Sequence, residues 1–229
     1  MDLKLDEVAE LLQVPQETVK QWVDEGRLPG YSFCEEYRFC RNEIDNWMIQ
    51  AGCYPRDREA AADHSKSGDA YSLYRAAYRG GVLHDIEGET KEEVIRQVLT
   101  TVAPKLQLDF EIAYELLLDR EALMPTSLNN GIAVPHAREN ILTGPHNAVV
   151  VTFLKSPIPY GALDGNPVHT LFFLFASGDR GHLQLLAKIA HLACQAGMHE
   201  FFLSQPNESQ FLDSIRNWER GVAPCEAAK

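Results

Sequence analysis

Apolar positions in the first fifty residues recur with helical spacing, interrupted by short breaks. Leu5, Val8, Ala9 and Leu12 fall at i, i+3, i+4 and i+7, one stripe along a helix. Gln13, Val14 and Pro15 break that stripe, and proline suits the start of a second helix at Gln16. Val19, Trp22 and Val23 supply the inward face of that helix until Gly26 stops it. Tyr31 to Phe39 alternates aromatic and polar residues, as a small hairpin does. Asn42 is placed to cap a third helix carrying Ile44, Trp47 and Met48.

The texture then changes. Residues 55–70 carry charge and small side chains with no apolar period, the composition of a flexible linker. From Tyr71 the pattern returns. Thr90-Lys-Glu-Glu93 reads as a capping box opening a helix with Val94, Ile95 and Val98 on its face. Asp109 caps the next, through Ile112, Ala113, Leu116 and Leu117. Val149 to Leu154 and Leu171 to Phe175 are continuous apolar runs of strand length, expected of strands covered on both faces. A helix over 182–197 follows, and a last one near 208–218. Helices flanking buried strands predict an α/β domain, a layered mixed β-sheet between helices. The expected division is residues 1–54, a linker 55–70, the α/β domain 71–222 and a tail 223–229.

Composition narrows the functional classes. The chain has 229 residues, 45% hydrophobic and 24% charged, the balance of an ordinary soluble protein. No apolar run approaches the roughly eighteen residues of a membrane span. A net charge of −12 argues against any broad nucleic-acid or anionic-membrane surface. The acidic amino terminus lacks the layout of a secretion signal. The five cysteines, an odd number without framework spacing, point to reduced thiols and a cytoplasmic location. Cys34, Cys40, Cys53 and His64 lack the paired short spacing of structural zinc, so no metal is expected, and no cofactor either.

The run that carries chemistry is Gly131-Ile-Ala-Val-Pro-His136. Ile132, Ala133 and Val134 read as a short buried strand, and Pro135 ends it because it cannot donate to a ladder. His136 is thereby delivered to a strand end, rigidly held and reachable. Imidazole is nucleophilic and exchanges protons near neutral pH, so His136 is a candidate nucleophile. A surface-loop histidine without a chemical role is the alternative.

With these elements placed, residues 72–220 resemble the IIA domain of the fructose/mannitol class of the bacterial phosphoenolpyruvate-dependent phosphotransferase system, including its nitrogen-regulatory branch. The blocks that carry the resemblance are Leu118-Asp-Arg-Glu-Ala-Leu123, Gly131 to His136, Pro157 to Val168, and His182 to Ala190, in that order. The resemblance implies that His136 is phosphorylated by phospho-HPr or a similar phosphocarrier. It also implies that Arg120 supplies a permanent charge near the phosphoryl oxygens. By the same resemblance His182 is the second histidine of the site. Asp179 can cap the incoming helix, which puts His182 in a first turn whose dipole favours phosphate and disfavours imidazolium. A solvated arginine and a packing histidine are the alternatives for these two. Ala137 stands where the family usually has glycine, and Asn129 where it often has one; asparagine tolerates the left-handed geometry of a turn. The remaining histidines, His64, His84, His146, His169, His191 and His199, match nothing.

Residues 1–50 resemble small winged helix-turn-helix domains of the excisionase and MerR-like class, with Leu5 to Pro29 as the helix-turn-helix and Tyr37-Arg38-Phe39 as the wing. DNA affinity comes largely from neutralising phosphates, yet this module sets five basic residues against eleven acidic ones. A DNA-contacting face would be built from Gln16, Thr18, Lys20, Gln21, Arg27, Arg38 and Arg41. A fold retained for protein contacts is the other reading. The whole chain is therefore expected to be a cytoplasmic phosphocarrier and regulator acting on an unidentified target protein. A sugar-transport IIA component, or a DNA-binding regulator whose IIA-like half is never modified, are the alternatives.

Overall fold

The computed structural model describes residues 2–12, 14–33, 36–41, 43–44, 47–48, 72–144 and 146–221. The expected linker 55–70, the tail 223–229 and the capping role of Asn42 lie outside the described residues. The chain divides into two compact units, Met1–Gly68 and Asp69–Lys229.

In the first unit, β1 (Asp2–Lys4) leads directly into α1 (Leu5–Leu12), followed by α2 (Gln16–Asp24), β2 (Tyr31–Phe33) and β3 (Glu36–Cys40). The strands form an antiparallel sheet in the order β1-β3-β2, with Leu3 opposite Phe39 and Ser32 opposite Tyr37. The expected hairpin is therefore present. The extra strand β1 is three residues long, too short to show an alternating pattern. Val8, Ala9, Leu11 and Leu12 of α1 bury with Val19 and Trp22 of α2 and with Phe39. Gly30 lets β2 begin against Phe39, since a Cβ there would lie 2.7 Å from the Phe39 ring.

The second unit runs α3 (Leu73–Gly80), β4 (Gly81–Ile86), α4 (Lys91–Leu106), α5 (Phe110–Leu123), β5 (Ile132–Ala133), β6 (Ala148–Ile158), β7 (Val168–Phe175), α6 (Asp179–Ala193), α7 (Met198–Leu203) and α8 (Glu208–Glu219). Its sheet has the order β4-β6-β7-β5 and is mixed: β6 and β7 are antiparallel, while β4 and β5 run parallel to their neighbours. All eight residues of β7 are buried, which explains its unbroken apolar run. Leu171, Phe173 and Phe175 pack with Val94, Val98, Val102 and Leu117 of α4 and α5. Phe172 turns the other way, 5.5 Å from the ring of Phe202 and 6.1 Å from that of Phe211.

The helix starts follow the expected chemistry. Thr90 accepts the Glu93 N–H, and Asp109 accepts that of Ile112. The Glu93 carboxylate returns to the Glu89 N–H rather than to Thr90. The expected single helix over 182–197 is two helices, 179–193 and 198–203, because Gly197 adopts a left-handed φ of 81° between them. Glu219, at the end of α8, accepts from Ser72 Oγ and from the Leu73 and Tyr74 N–H groups at the start of α3. Cys40 has a free thiol, whereas Cys194 is disulfide-bonded, a departure from the expectation of reduced thiols. Among the described residues, no helix is long and apolar enough to cross a membrane.

Candidate functional site

The segment before His136 folds as a tight hairpin. The Val134 N–H donates to the Thr126 carbonyl at 2.9 Å, and the Leu128 N–H to that of Ile132 at 2.7 Å. Asn130 (φ 64°) and Gly131 (φ 70°) turn the chain between these two arms. The left-handed asparagine is thus Asn130, beside Gly131, and not the expected Asn129. A side chain at Gly131 would place its Cβ 2.5 Å from His169 Cδ2. Ala137 has no positive φ, so alanine fits where the family usually places glycine.

The far arm of the hairpin is clamped to the sheet. Ile132 and Ala133 pair with Thr170 and Leu171, and Pro135 ends the strand while its carbonyl accepts the Leu174 N–H at 2.9 Å. His136 then sits opposite Leu174 with its backbone fixed. Its Nδ1 lies 2.7 Å from the Val134 carbonyl. A carbonyl can only accept, so Nδ1 carries the proton and Nε2 keeps its lone pair. Arg120, from the last turn of α5, directs its Nε–H at that lone pair from 3.3 Å and donates Nη1–H to the Met124 carbonyl at 2.8 Å.

His182 completes the cluster, its ring centroid 5.0 Å from that of His136 at an interplanar angle of 66°. It occupies the first turn of α6, where its N–H reaches the Gly178 carbonyl at 3.0 Å. The N-cap is Gly178, in extended conformation, and not Asp179. Asp179 is instead the first helical residue, which still suits the positive end of the dipole, and its carboxylate accepts from Asn140. Gly181 lets this helix start approach the sheet, since a Cβ there would sit 2.6 Å from Asn147 Nδ2.

The three residues the sequence pointed to are therefore together. They are also enclosed: relative exposure is 0% for His136 and 2% for Arg120 and His182. The sequence reading expected a reachable ring. The Arg120 guanidinium engages Nε2 but is itself buried, so the enclosure extends beyond it.

Glu121 was not anticipated. It is buried beside Arg120 and takes the Thr126 N–H on one carboxylate oxygen at 3.1 Å and the Thr126 hydroxyl on the other. Burial pushes its carboxyl up, against the opposing pull of the Thr126 bonds. The Tyr160 hydroxyl, buried beside it, is pushed well up by desolvation and by the Glu121 charge. Glu121 stands in a run of three charged residues, Asp119-Arg120-Glu121, so its burial had no signal in the sequence.

A family model described as EIIA 2 of the phosphoenolpyruvate-dependent sugar phosphotransferase system matches residues 79–218. The chain belongs to that family. A nitrogen regulatory protein of Pseudomonas aeruginosa is 32% identical over 145 residues, 62% of this chain and 93% of the relative. The fructose-specific EIIABC component of Bacillus subtilis is 29% identical over 139 residues, 59% of this chain but 22% of that protein. Among solved structures, the nitrogen regulatory protein IIA-Ntr of Neisseria meningitidis superposes with a TM-score of 0.53 at 23% identity, covering 66% of this chain and 99% of that one. It shares the EIIA 2 fold. Residues 3–51 match a model described as a helix-turn-helix domain.

Elsewhere in the EIIA 2 domain, His84 contacts the Pro206 carbonyl and His191 packs against Trp218. His169 Nε2 and His199 Nδ1 both lie 3.2 Å from the Asn130 carbonyl, with ring centroids 5.6 Å apart. Burial, and then the charge on His199, lower the His169 pKa; the Asn130 carbonyl opposes them. Among the described residues, no group of three or more His, Cys, Asp and Glu is placed to hold a metal ion.

In the helix-turn-helix unit, Gln16, Gln21 and Arg27 are exposed, Thr18, Lys20 and Arg38 half-buried, and Arg41 buried. Glu25 accepts from Gln21 Nε2 at 2.7 Å and from Arg27 Nη1 at 3.2 Å, and Arg27 lies over the Trp22 ring. An acidic residue thus ties up two of the seven proposed contacts.

Proposed function

We propose that this protein is a regulatory phosphocarrier of the nitrogen-regulatory IIA type, accepting a phosphoryl group from an HPr-like phosphocarrier on Nε2 of His136. The observation that carries this reading is the tautomer. With Nδ1–H donated to the Val134 carbonyl, the lone pair of Nε2 faces the guanidinium of Arg120. The Nε2 lone pair attacks phosphorus in line, and the bond from phosphorus to the donor breaks with its electrons leaving on the donor. Arg120 moves its N–H from Nε2 to the equatorial oxygens as the new bond forms, which frees the lone pair and neutralises charge at once. His182 offers a ring nitrogen to another phosphoryl oxygen at the positive end of α6. The Nδ1–H to Val134 bond persists throughout and holds the product imidazole in place.

The protein works in the cytoplasm beside that donor, where the Cys194 disulfide is an exception, and the added charge of about −2 changes what docks at the site. The output is regulatory and runs through a target protein, with the amino-terminal unit contacting DNA. The test is incubation with phosphoenolpyruvate, the upstream kinase and HPr. Acid-labile phosphate should appear on the wild type and vanish in His136→Ala. Enclosure of His136 favours a second reading, a DNA-binding regulator whose IIA-like half is never modified. Failure of the wild type to take up phosphate selects it. The likeness to a fructose-specific EIIABC component supports a third, a transport IIA component handing phosphate to a separate IIB partner. Transfer from the labelled protein to an added sugar-specific IIB domain would show that role.

A further inference from the structure

We infer that Glu121 is a positioning residue for phosphoryl acceptance, holding His136 in its Nδ1–H tautomer through Thr126 and Val134. This deepens the phosphocarrier reading and rests on it for the consequence in rate.

The chain of contacts is short and continuous. Glu121 grips Thr126 twice, one carboxylate oxygen on the backbone N–H and the other on the hydroxyl. The Thr126 carbonyl takes the Val134 N–H at 2.9 Å, and the Val134 carbonyl takes Nδ1–H of His136 at 2.7 Å. Thr126 is fully buried, and Glu121 is exposed by only 2%. The far arm of the hairpin is anchored to β7, but the near arm, 126–128, has no strand on its other side among the described residues. Glu121 supplies the missing anchor there. The Thr126 N–H needs one carboxyl oxygen as acceptor. The Thr126 hydroxyl can bond the other whether the carboxyl is ionised or protonated, so the grip does not depend on charge. If Thr126 shifts, the Val134 N–H loses its acceptor, and Val134 is held only through its β7-bonded neighbours Ala133 and Pro135. The Arg120 Nε–H alone is then left to oppose the tautomer whose Nε2–H cannot attack.

Glu121→Leu keeps the bulk and removes both oxygens; Thr126→Val removes only the hydroxyl; Thr126→Ser restores it. Long-range proton–nitrogen NMR of the His136 ring reads the tautomer directly, without any phosphorylation. Glu121→Leu and Thr126→Val should both raise the Nε2–H population. Single-turnover phosphorylation at saturating phospho-HPr should fall about tenfold or more, with the half-saturating donor concentration unchanged. Thr126→Ser should return both readouts to wild type. An unchanged His136 ring spectrum in both variants overturns the inference, as does a loss of rate with the tautomer intact. Should Glu121→Leu fail to fold, the Thr126 pair decides alone. A wild type that takes no phosphate counts against the phosphocarrier reading only, since the ring spectrum still tests the positioning.

Discussion

Arg120 and His136 meet nitrogen to nitrogen: Nε–H of the guanidinium points at Nε2 of the imidazole from 3.3 Å, with both residues buried. A guanidinium stays charged at any relevant pH, so this contact accepts a neutral ring and opposes an imidazolium. The same group that prepares the nucleophile also engages its lone pair. Phosphorylation must therefore begin with Arg120 exchanging one acceptor for another.

Arg120→Lys separates charge from shape. Lysine keeps the charge but lacks the planar fork that serves Nε2 and the Met124 carbonyl together. The rate of phosphoryl transfer onto His136 should fall about 10²-fold, in line with loss of a preorganised donor at a developing charge. Thermal unfolding should show the fold retained. A variant phosphorylated at the wild-type rate would remove Arg120 from the chemistry.

Gly131→Ala tests the hairpin. The residue sits at φ 70°, and a new Cβ would press on the His169 ring at 2.5 Å. Left-handed strain and the displaced ring together should cost about 1–3 kcal/mol, read from urea unfolding midpoints. Asn130→Gly, next door, relieves a left-handed non-glycine residue and should be neutral or slightly stabilising.

His169 gives stability a pH dependence of known sign. Its folded pKa lies below the ordinary 6.5 because burial, and then His199, disfavour the charged ring. Between the folded and unfolded values the unfolded chain binds more protons, so stability rises with pH there. The melting temperature should drop as pH falls through 6.5 and stop responding to this group below its folded pKa. Glu121 has the opposite sign at lower pH, since its raised pKa weakens the fold as the carboxyl ionises above 4.5. Melting curves of His169→Gln against wild type isolate the first effect. Parallel pH profiles for the two proteins would contradict it.

How far the sequence reaches depends on the range of the interaction. His136 was legible as a histidine at a strand end, whereas Arg120 at a helix end and His182 at a helix start were legible only through the family resemblance of the contiguous blocks that hold them. Positions that depend on one residue of register were not. Asn129 and Asn130 are adjacent and chemically equal, and only the backbone shows that the second adopts φ 64°. Gly178 rather than Asp179 caps α6 for the same reason. The apolar period over 182–197 runs through the true end at Ala193, because Met198 falls in step with it although Gly197 resets the chain. The pairing of His169 with His199 is tertiary, joining β7 to the start of α7, and no local pattern announces it. Glu121 was visible as a letter in the Arg120 block, but its partner Thr126 is brought to it by the turn between α5 and the hairpin.

The helix-turn-helix unit makes a separate prediction. If it binds DNA, few phosphates are neutralised, because Arg27 is paired with Glu25 and Arg41 is buried. Lys20, on α2, is left as a main source of counterion release. The salt dependence of binding should be shallow, and Lys20→Ala should reduce its slope by about one while weakening all sequences alike. Glu25→Gln, by contrast, removes a negative charge and loosens Arg27, so affinity should rise. Mobility-shift titrations at several salt concentrations, on unmodified and phosphorylated protein, measure both the slope and its link to His136. Affinity that differs between the two forms would join the units functionally; equal affinity would leave the EIIA 2 domain and the helix-turn-helix unit acting separately.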